Sequence, residues 1–134
     1  MTKQHINPDT LMKLPSYSQL VVASGSRTVY VAGQGAFDQE MRLVGAGDYY
    51  AQTVKVLQNL ATALAAAGAC PGDVVSSVMY VKNLNPEVME QFGRALNDAL
   101  GDQPFPPNAS TLVGVQALGH PDMLVEISAV AVID

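Results

Sequence analysis

Two stretches, "VVSSVMYV" at residues 74–81 and "AVAVI" at 129–133, carry apolar residues at both alternating positions. A strand wetted on one side alternates apolar with polar. A strand apolar on both sides asks for cover on both faces of its sheet. The rest of the chain offers two long helical patterns. In "DYYAQTVKVLQNLATALAAAG", Val54, Leu57, Leu60, Ala61 and Leu64 recur at three- and four-residue steps. Asp48 or Gly47 can cap its start, and Gly68 can end it in the left-handed region. In "NPEVMEQFGRALNDALG", Asn85 suits the N-cap and Pro86 the first helical position, where a missing N–H costs nothing. Glu87 and Glu90 lie near the positive end of the dipole, Met89, Phe92, Leu96 and Leu100 form the stripe, and Gly101 closes it. Two helices cover one face of a sheet of this size. The simplest cover for the other is a second copy, so the sequence predicts a homo-oligomer.

"SQLVVASG" and "RTVYVAGQ" read as two strands joined by a tight turn at Ser24 to Arg27, with Gly25 supplying the turn. "GAFDQEMRLVGAGD" is a loop with a short extended piece near Leu43. Two further strands are expected at Ala109 to Ala117 and Met123 to Ile133. The order is β-β-α-β-α-β-β, with room for an extra extended piece at the N-terminus. This is one α+β domain over residues 1–134 with a mixed sheet.

Composition narrows the function. Of 134 residues, 14% are charged, the net charge is −5, and the seven Lys and Arg are scattered. A surface that tracks phosphates needs clustered cations, so nucleic acid is not an expected partner. One cysteine, Cys70, rules out an internal disulfide and suits a reducing compartment. No apolar run reaches the roughly 18 residues of a membrane span. The expected location is the cytoplasm, with no membrane partner.

Candidate chemistry is sparse. His5 and His120 have no metal-like spacing, and no metal site is expected. Cys70 reads as a buried or turn-packing residue, and spacing proposes no Cys–His or Ser–His pair. "AGQGAF" lacks the full dinucleotide fingerprint. Glu126 interrupts the otherwise apolar "MLVEISAVAVI". It is either a solvent-facing residue on a half-covered strand or a carboxylate on a cleft wall, able to hold a water. Tyr17 in "LPSYSQL" is a packing aromatic or a hydroxyl at a pocket. Gly33 and Gly35 mark either close backbone approach to a ligand or a twisted strand end.

Taken together, "YSQLV", "VYVAGQGAFD", "QTVKVLQNLATALAAAGA", "DVVSSVMYVKNLN" and "VGVQAL…LVEISAVAV" stand in the order and spacing of the Rid (YjgF, or L-PSP endoribonuclease) family, which this chain resembles from about Tyr17 to Ile133. The resemblance implies a chorismate-mutase-like α+β fold, a six-stranded mixed sheet backed by two helices, and a homotrimer with small-molecule clefts between subunits. Active members hydrolyse enamines and imines to ketoacids and ammonia, and need no cofactor. Carried over by position, Glu126 is the water-positioning residue. Tyr17, Ala32, Gly33, Gln34, Gln91, Ser110 and Thr111 are the substrate-binding set, and Ala32 stands where serine is usual.

The stretch "FPPNASTLVGV" departs from the pattern. Aligned on Val113-Gly114-Val115, the column of the carboxylate-clamping arginine holds Ser110. Losing such a contact costs about 2–5 kcal/mol, roughly a thirtyfold to several-thousandfold loss in rate. The chain therefore resembles an arginine-less branch, with Arg94 a candidate replacement cation from a neighbouring copy. The expected activity is deamination of an atypical imine, enamine or related amine. The alternative is a trimer that binds a small metabolite without turnover; ribonuclease action is opposed by the acidic charge. Light scattering at micromolar concentration tests the shared premise, with the mass of an oligomer expected and the mass of one chain counting against it.

Overall fold

The computed structural model describes residues 2–134. Six strands and two α-helices follow in the order β1 (Thr2–Ile6), β2 (Leu20–Ser24), β3 (Arg27–Gln34), α1 (Tyr49–Ala66), β4 (Val74–Lys82), α2 (Pro86–Asp98), β5 (Ala109–Val115) and β6 (Val125–Ile133). A single 3₁₀ turn at Pro71–Asp73 leads into β4. The extra N-terminal strand is β1, and the α+β class with mixed pairing stands: β4 and β5 run parallel, while β6 is antiparallel to both β3 and β4.

The six strands do not form one sheet. β3-β6-β4-β5 make a four-stranded sheet, and β1 and β2 pair only with each other. The hairpin expected between β2 and β3 is absent. The Ser18 N–H donates to the Asn108 carbonyl at 2.9 Å, just before β5. At its other end, a Cβ on Gly25 would lie 2.7 Å from the Ile133 carbonyl at the end of β6. β2 thus runs across the strand ends from β5 towards β6 instead of turning back alongside β3. Gly25 serves close approach to β6, not a positive-φ turn.

Both helices lie on one face of the four-stranded sheet. Along β4 and β6 burial alternates: Val74, Ser77, Met79, Val81, Val125, Ile127, Ala129, Ala131 and Ile133 are buried. All but Ser77 pack with Val56, Leu57, Leu60 and Leu64 of α1 and Val88 and Phe92 of α2. Their neighbours Ser76, Val78, Tyr80, Glu126, Ser128, Val130 and Val132 are half-exposed on the other face. Tyr30, opposite Val130, is 80% exposed. One face is covered and one is open.

The helix caps follow the sequence. Asp48 accepts from the Ala51 N–H at 3.0 Å, Asn85 accepts from Val88 at 2.9 Å, and Gly68 holds φ +79°. The buried faces are turned relative to the expected stripes. Val54 and Ala61 are only half-buried, whereas Gln52, Thr53 and Val56 are buried; Met89 is exposed, and Val88, Phe92 and Ala95 face inward. Hydrophobicity alone misses Gln52 because its polar atoms are all used. Its Nε2 donates to the Gly45 carbonyl at 3.2 Å and the Asp122 carbonyl at 3.0 Å. Its Oε1 accepts from the Leu124 N–H at 2.9 Å.

Gln52 therefore ties the loop before α1 and the loop before β6 to the core. Gln52→Leu keeps the volume but strands those backbone groups. It is expected to lower unfolding free energy by on the order of 2–3 kcal/mol in urea titration; a loss below about 0.5 kcal/mol would show that the loops re-bond without it.

Candidate functional site

Glu126 stands on the open face. It lies opposite Tyr80 on β4 and one residue before Ile127, the pairing partner of Gln34 on β3. Between Val31 and Gln34 the β3–β6 register shifts: Val31 pairs with Ala129 and Gln34 with Ile127. One extra residue on β3 makes a bulge at Ala32–Gly33, a device that bends a strand and re-aims its neighbours. The Glu126 side chain folds over this bulge. A Cβ on Gly33 would lie 2.8 Å from the Glu126 Cδ and 3.0 Å from its Cγ. Of the two readings of Gly33, close approach holds, and what approaches is the chain's own carboxylate.

The bulge and the loop after it are held by side chains. Gln34 Nε2 donates to the Ala32 carbonyl at 3.0 Å. Asn59 of α1 donates to the carbonyls of Gly35 and Phe37, both at 2.9 Å. Gly35 itself leaves room for Met123, whose Cε would lie 2.8 Å from an added Cβ. The loop that follows turns through Met41 at φ +65°, with Asp38 Oδ1 accepting from Glu40 and Arg42 N–H at 2.9 Å each, and returns as a bridge between Phe37 and Leu43. This is the extended piece expected near Leu43.

The other candidate residues stand elsewhere in the same chain. Ser110 pairs with the buried Ser77 and so points to the helix side, away from Glu126. Thr111 pairs with Val78 and shares the open face, two strands and roughly 10 Å across the sheet from β6. Gln91 lies on α2, in the helix layer. Tyr17 is half-buried, accepts from Gln19 Nε2 at 2.8 Å, and lines a hollow of about 350 Å³ with His5, Ser18, Pro106 and Pro107. A second, smaller hollow of about 240 Å³ lies on the open face between Tyr30, Ser76, Val78, Ser128 and Val130. One protomer therefore brings Glu126, Ala32, Gly33 and Gln34 together and leaves Tyr17, Gln91, Ser110 and Thr111 apart from them.

Arg94 is committed on the helix surface. Its guanidinium lies 4.6 Å from the Tyr50 ring centroid, and its Nε is 3.2 Å from Glu90 Oε1. The Tyr50 hydroxyl donates to Asp98 at 2.7 Å, a bond that raises the phenol's pKa, while burial raises that of Tyr49. Cys70 is exposed at the 3₁₀ turn, its N–H donating to Asp73 Oδ2 at 2.9 Å, and not buried. His120 is exposed and stacks edge-on against Phe37 with centroids 5.5 Å apart. The fold also makes a Ser–His contact that spacing did not suggest. His5 Nδ1 is 2.6 Å from the buried Ser18 Oγ and fastens β1 to the segment before β2. It is invisible in sequence because the partners meet only when β1 and β2 pair.

Residues 9–133 match the family described as Endoribonuclease L-PSP. The chain belongs to that family, the Rid or YjgF proteins of the resemblance above. A RutC family protein of Pyrococcus abyssi is 32% identical over 116 residues, covering 86% of this chain and 84% of its own. Among solved structures, the Rid family protein YyfB of Yersinia pestis, of unknown function, is 38% identical with a TM-score of 0.87, covering 98% of this chain and 99% of its own. RidA from the Antarctic bacterium Psychrobacter is 27% identical with a TM-score of 0.68, covering 97% and 99%. Among the described residues, no helix is long and apolar enough to cross a membrane, and no three His, Cys, Asp or Glu side chains group as metal ligands.

The Gly33–Glu126 contact can be tested by a double-mutant cycle. Gly33→Ala overpacks the bulge and is expected to cost about 1–3 kcal/mol in chemical denaturation. In a Glu126→Ala background most of that cost disappears; equal costs in both backgrounds would show that the Cβ clashes with something else.

Proposed function

We propose that this chain is a cofactor-independent hydrolytic deaminase of a reactive imine or enamine. It works in clefts between the copies of a homotrimer whose subunits meet across the open sheet face. The reading rests chiefly on one observation, a carboxylate held over a glycine bulge on an uncovered face. Family membership supports it. The trimer supplies what one chain lacks: Thr111, which shares the open face, and Tyr17 come to Glu126 from a neighbour, while Ser110 and Gln91 stay on the helix side.

The chemistry asks little of the protein. A protonated imine is already electrophilic. Glu126 accepts a hydrogen bond from a water, which attacks the C=N carbon; the C–O bond forms and the water proton passes to the carboxylate. The carboxylic acid then returns the proton to nitrogen; as the C–N bond breaks, the carbinol O–H passes its proton to the Glu126 carboxylate and on to the departing ammonia, and carbonyl product and ammonium leave. Backbone groups of Ala32, Gly33 and Gln34 border the reacting atoms.

A second reading, metabolite binding without turnover, draws support from Ser110. It carries no charge, and it points to the covered face of its own sheet. Ribonuclease action is opposed by the net charge of −5.

The test couples an amino-acid oxidase to semicarbazide trapping of the imine. The wild-type protein is expected to compete with semicarbazide. Glu126→Ala is expected to lower the rate by about 10²-fold or more. Equal rates in the two proteins would remove Glu126 from the chemistry. Ligand-dependent thermal stabilisation without product would favour the binding reading.

A further inference from the structure

We propose that Lys82 anchors the ligand's carboxylate in place of the missing arginine. This rests on the deaminase reading above for its chemistry but has its own observable. The basic residues of the described structure are otherwise occupied or misplaced. Lys13 pairs with Asp9, Arg42 with Asp38 and Glu40, and Arg94 with Glu90. Arg27 donates twice to the Asp134 carbonyl, and its register partner Ile133 is buried on the helix side. Lys3 lies on β1 in the separate two-stranded sheet, and Lys55 on α1.

Lys82 is different. It follows Val78 and Tyr80 at the two-residue step of β4, so it shares their open face. Among the described residues it is the one cation that a strand of the four-stranded sheet places there. Its N–H donates to the Leu124 carbonyl at 2.9 Å, which extends the Tyr80–Glu126 register by two residues. Lys82 and Glu126 are therefore diagonal neighbours, with Cα atoms roughly 7–8 Å apart. A molecule the size of an amino acid spans that gap.

The backbone at Lys82 is fixed. Its carbonyl accepts from the Tyr49 hydroxyl at 2.7 Å, and Asn83 then ends the strand at φ +51°, its N–H bonded to Val115 at 2.9 Å. The ammonium is not tied to an acid. Its Nζ donates at 3.1 Å to the Pro121 carbonyl, a neutral acceptor that a carboxylate outcompetes. Glu126 leans the other way, over Gly33 on β3, so the two charges leave space between them. The arrangement fits a short 2-imino acid lying along the top of β4 and β6, with its carboxylate at Lys82 and its C=N carbon towards Glu126. A lysine is a point charge where the arginine of the family is a fork. Binding is therefore weaker and less strict about the carboxylate's orientation.

The test compares wild type, Lys82→Gln and Lys82→Arg on two imines. One is the 2-imino acid released from methionine by an amino-acid oxidase. The other is the uncarboxylated imine released from benzylamine by a flavin amine oxidase. For Lys82→Gln, KM for the imino acid is expected to rise about tenfold or more with kcat little changed, and turnover of the uncarboxylated imine to stay the same. Lys82→Arg is expected to keep the wild-type KM within a few-fold. An unchanged KM in Lys82→Gln, or equal losses on both imines, overturns the proposal. If wild type turns over neither imine, the deaminase reading fails, and the anchor is judged by binding alone. Pyruvate should then raise the melting temperature of wild type and Lys82→Arg but not of Lys82→Gln. Equal shifts in wild type and Lys82→Gln, or no shift in wild type at tens of millimolar pyruvate, would overturn it.

Discussion

One layer of helices screens one face of a sheet, and everything else in this molecule is arranged around that limit. α1 and α2 lie together on the four-stranded sheet, and the alternation of buried and half-exposed residues along β6, and along β4 from Ser76 onward, records which side they took. The covered side is aliphatic and closed. The open side mixes Val78, Val130 and Val132 with Tyr80, Ser76, Ser128 and Glu126. That mixture suits neither full solvation nor a dry core. That composition fits the proposed meeting of copies across this face.

Within that face the position of Glu126 follows from backbone geometry rather than from charge. An extra residue in β3 opens the ladder beside it, and a glycine in the gap leaves room for a side chain to lie down. Gln34 then satisfies the Ala32 carbonyl of the bulge, and Asn59 those of Gly35 and Phe37 in the loop that follows. Irregular backbone beside a polar side chain is tolerated only where hydrogen bonds close around it, and here they do. The site is thus built from the same material as the fold.

Much of this was legible in the residues. Cap chemistry located both helices to within a residue or two, because Asp48 and Asn85 act on neighbours three positions away. The uncovered face could be counted from the two doubly apolar strands. Non-local consequences were not legible. The β2–β3 turn looks like a hairpin locally, yet β2 is drawn across the sheet end by Ser18, Asn108 and Ile133, residues far apart in the chain. Gln52 and Thr53 look polar and are buried, because their partners come from loops or from the preceding helical turn. Glu126 stood out as a polar interruption, but its relation to Gly33 needed the register. Lys82 gave no signal at all, since a lysine at a strand end is ordinary until the face it occupies is known.

The fastening of Gln52 has an effect at a distance. The segment carrying Asp122 and Leu124 borders the open face, and Pro121 holds the Lys82 ammonium, yet that segment is bolted to a fully buried side chain of α1. A rim attached in this way does not flap on its own. The Leu124 amide, hidden behind a bond to the interior, would trade its proton for deuterium only at the pace at which the hydrophobic centre itself opens. The edge of the face beside Glu126 is thus fastened to the core rather than hung from a loop.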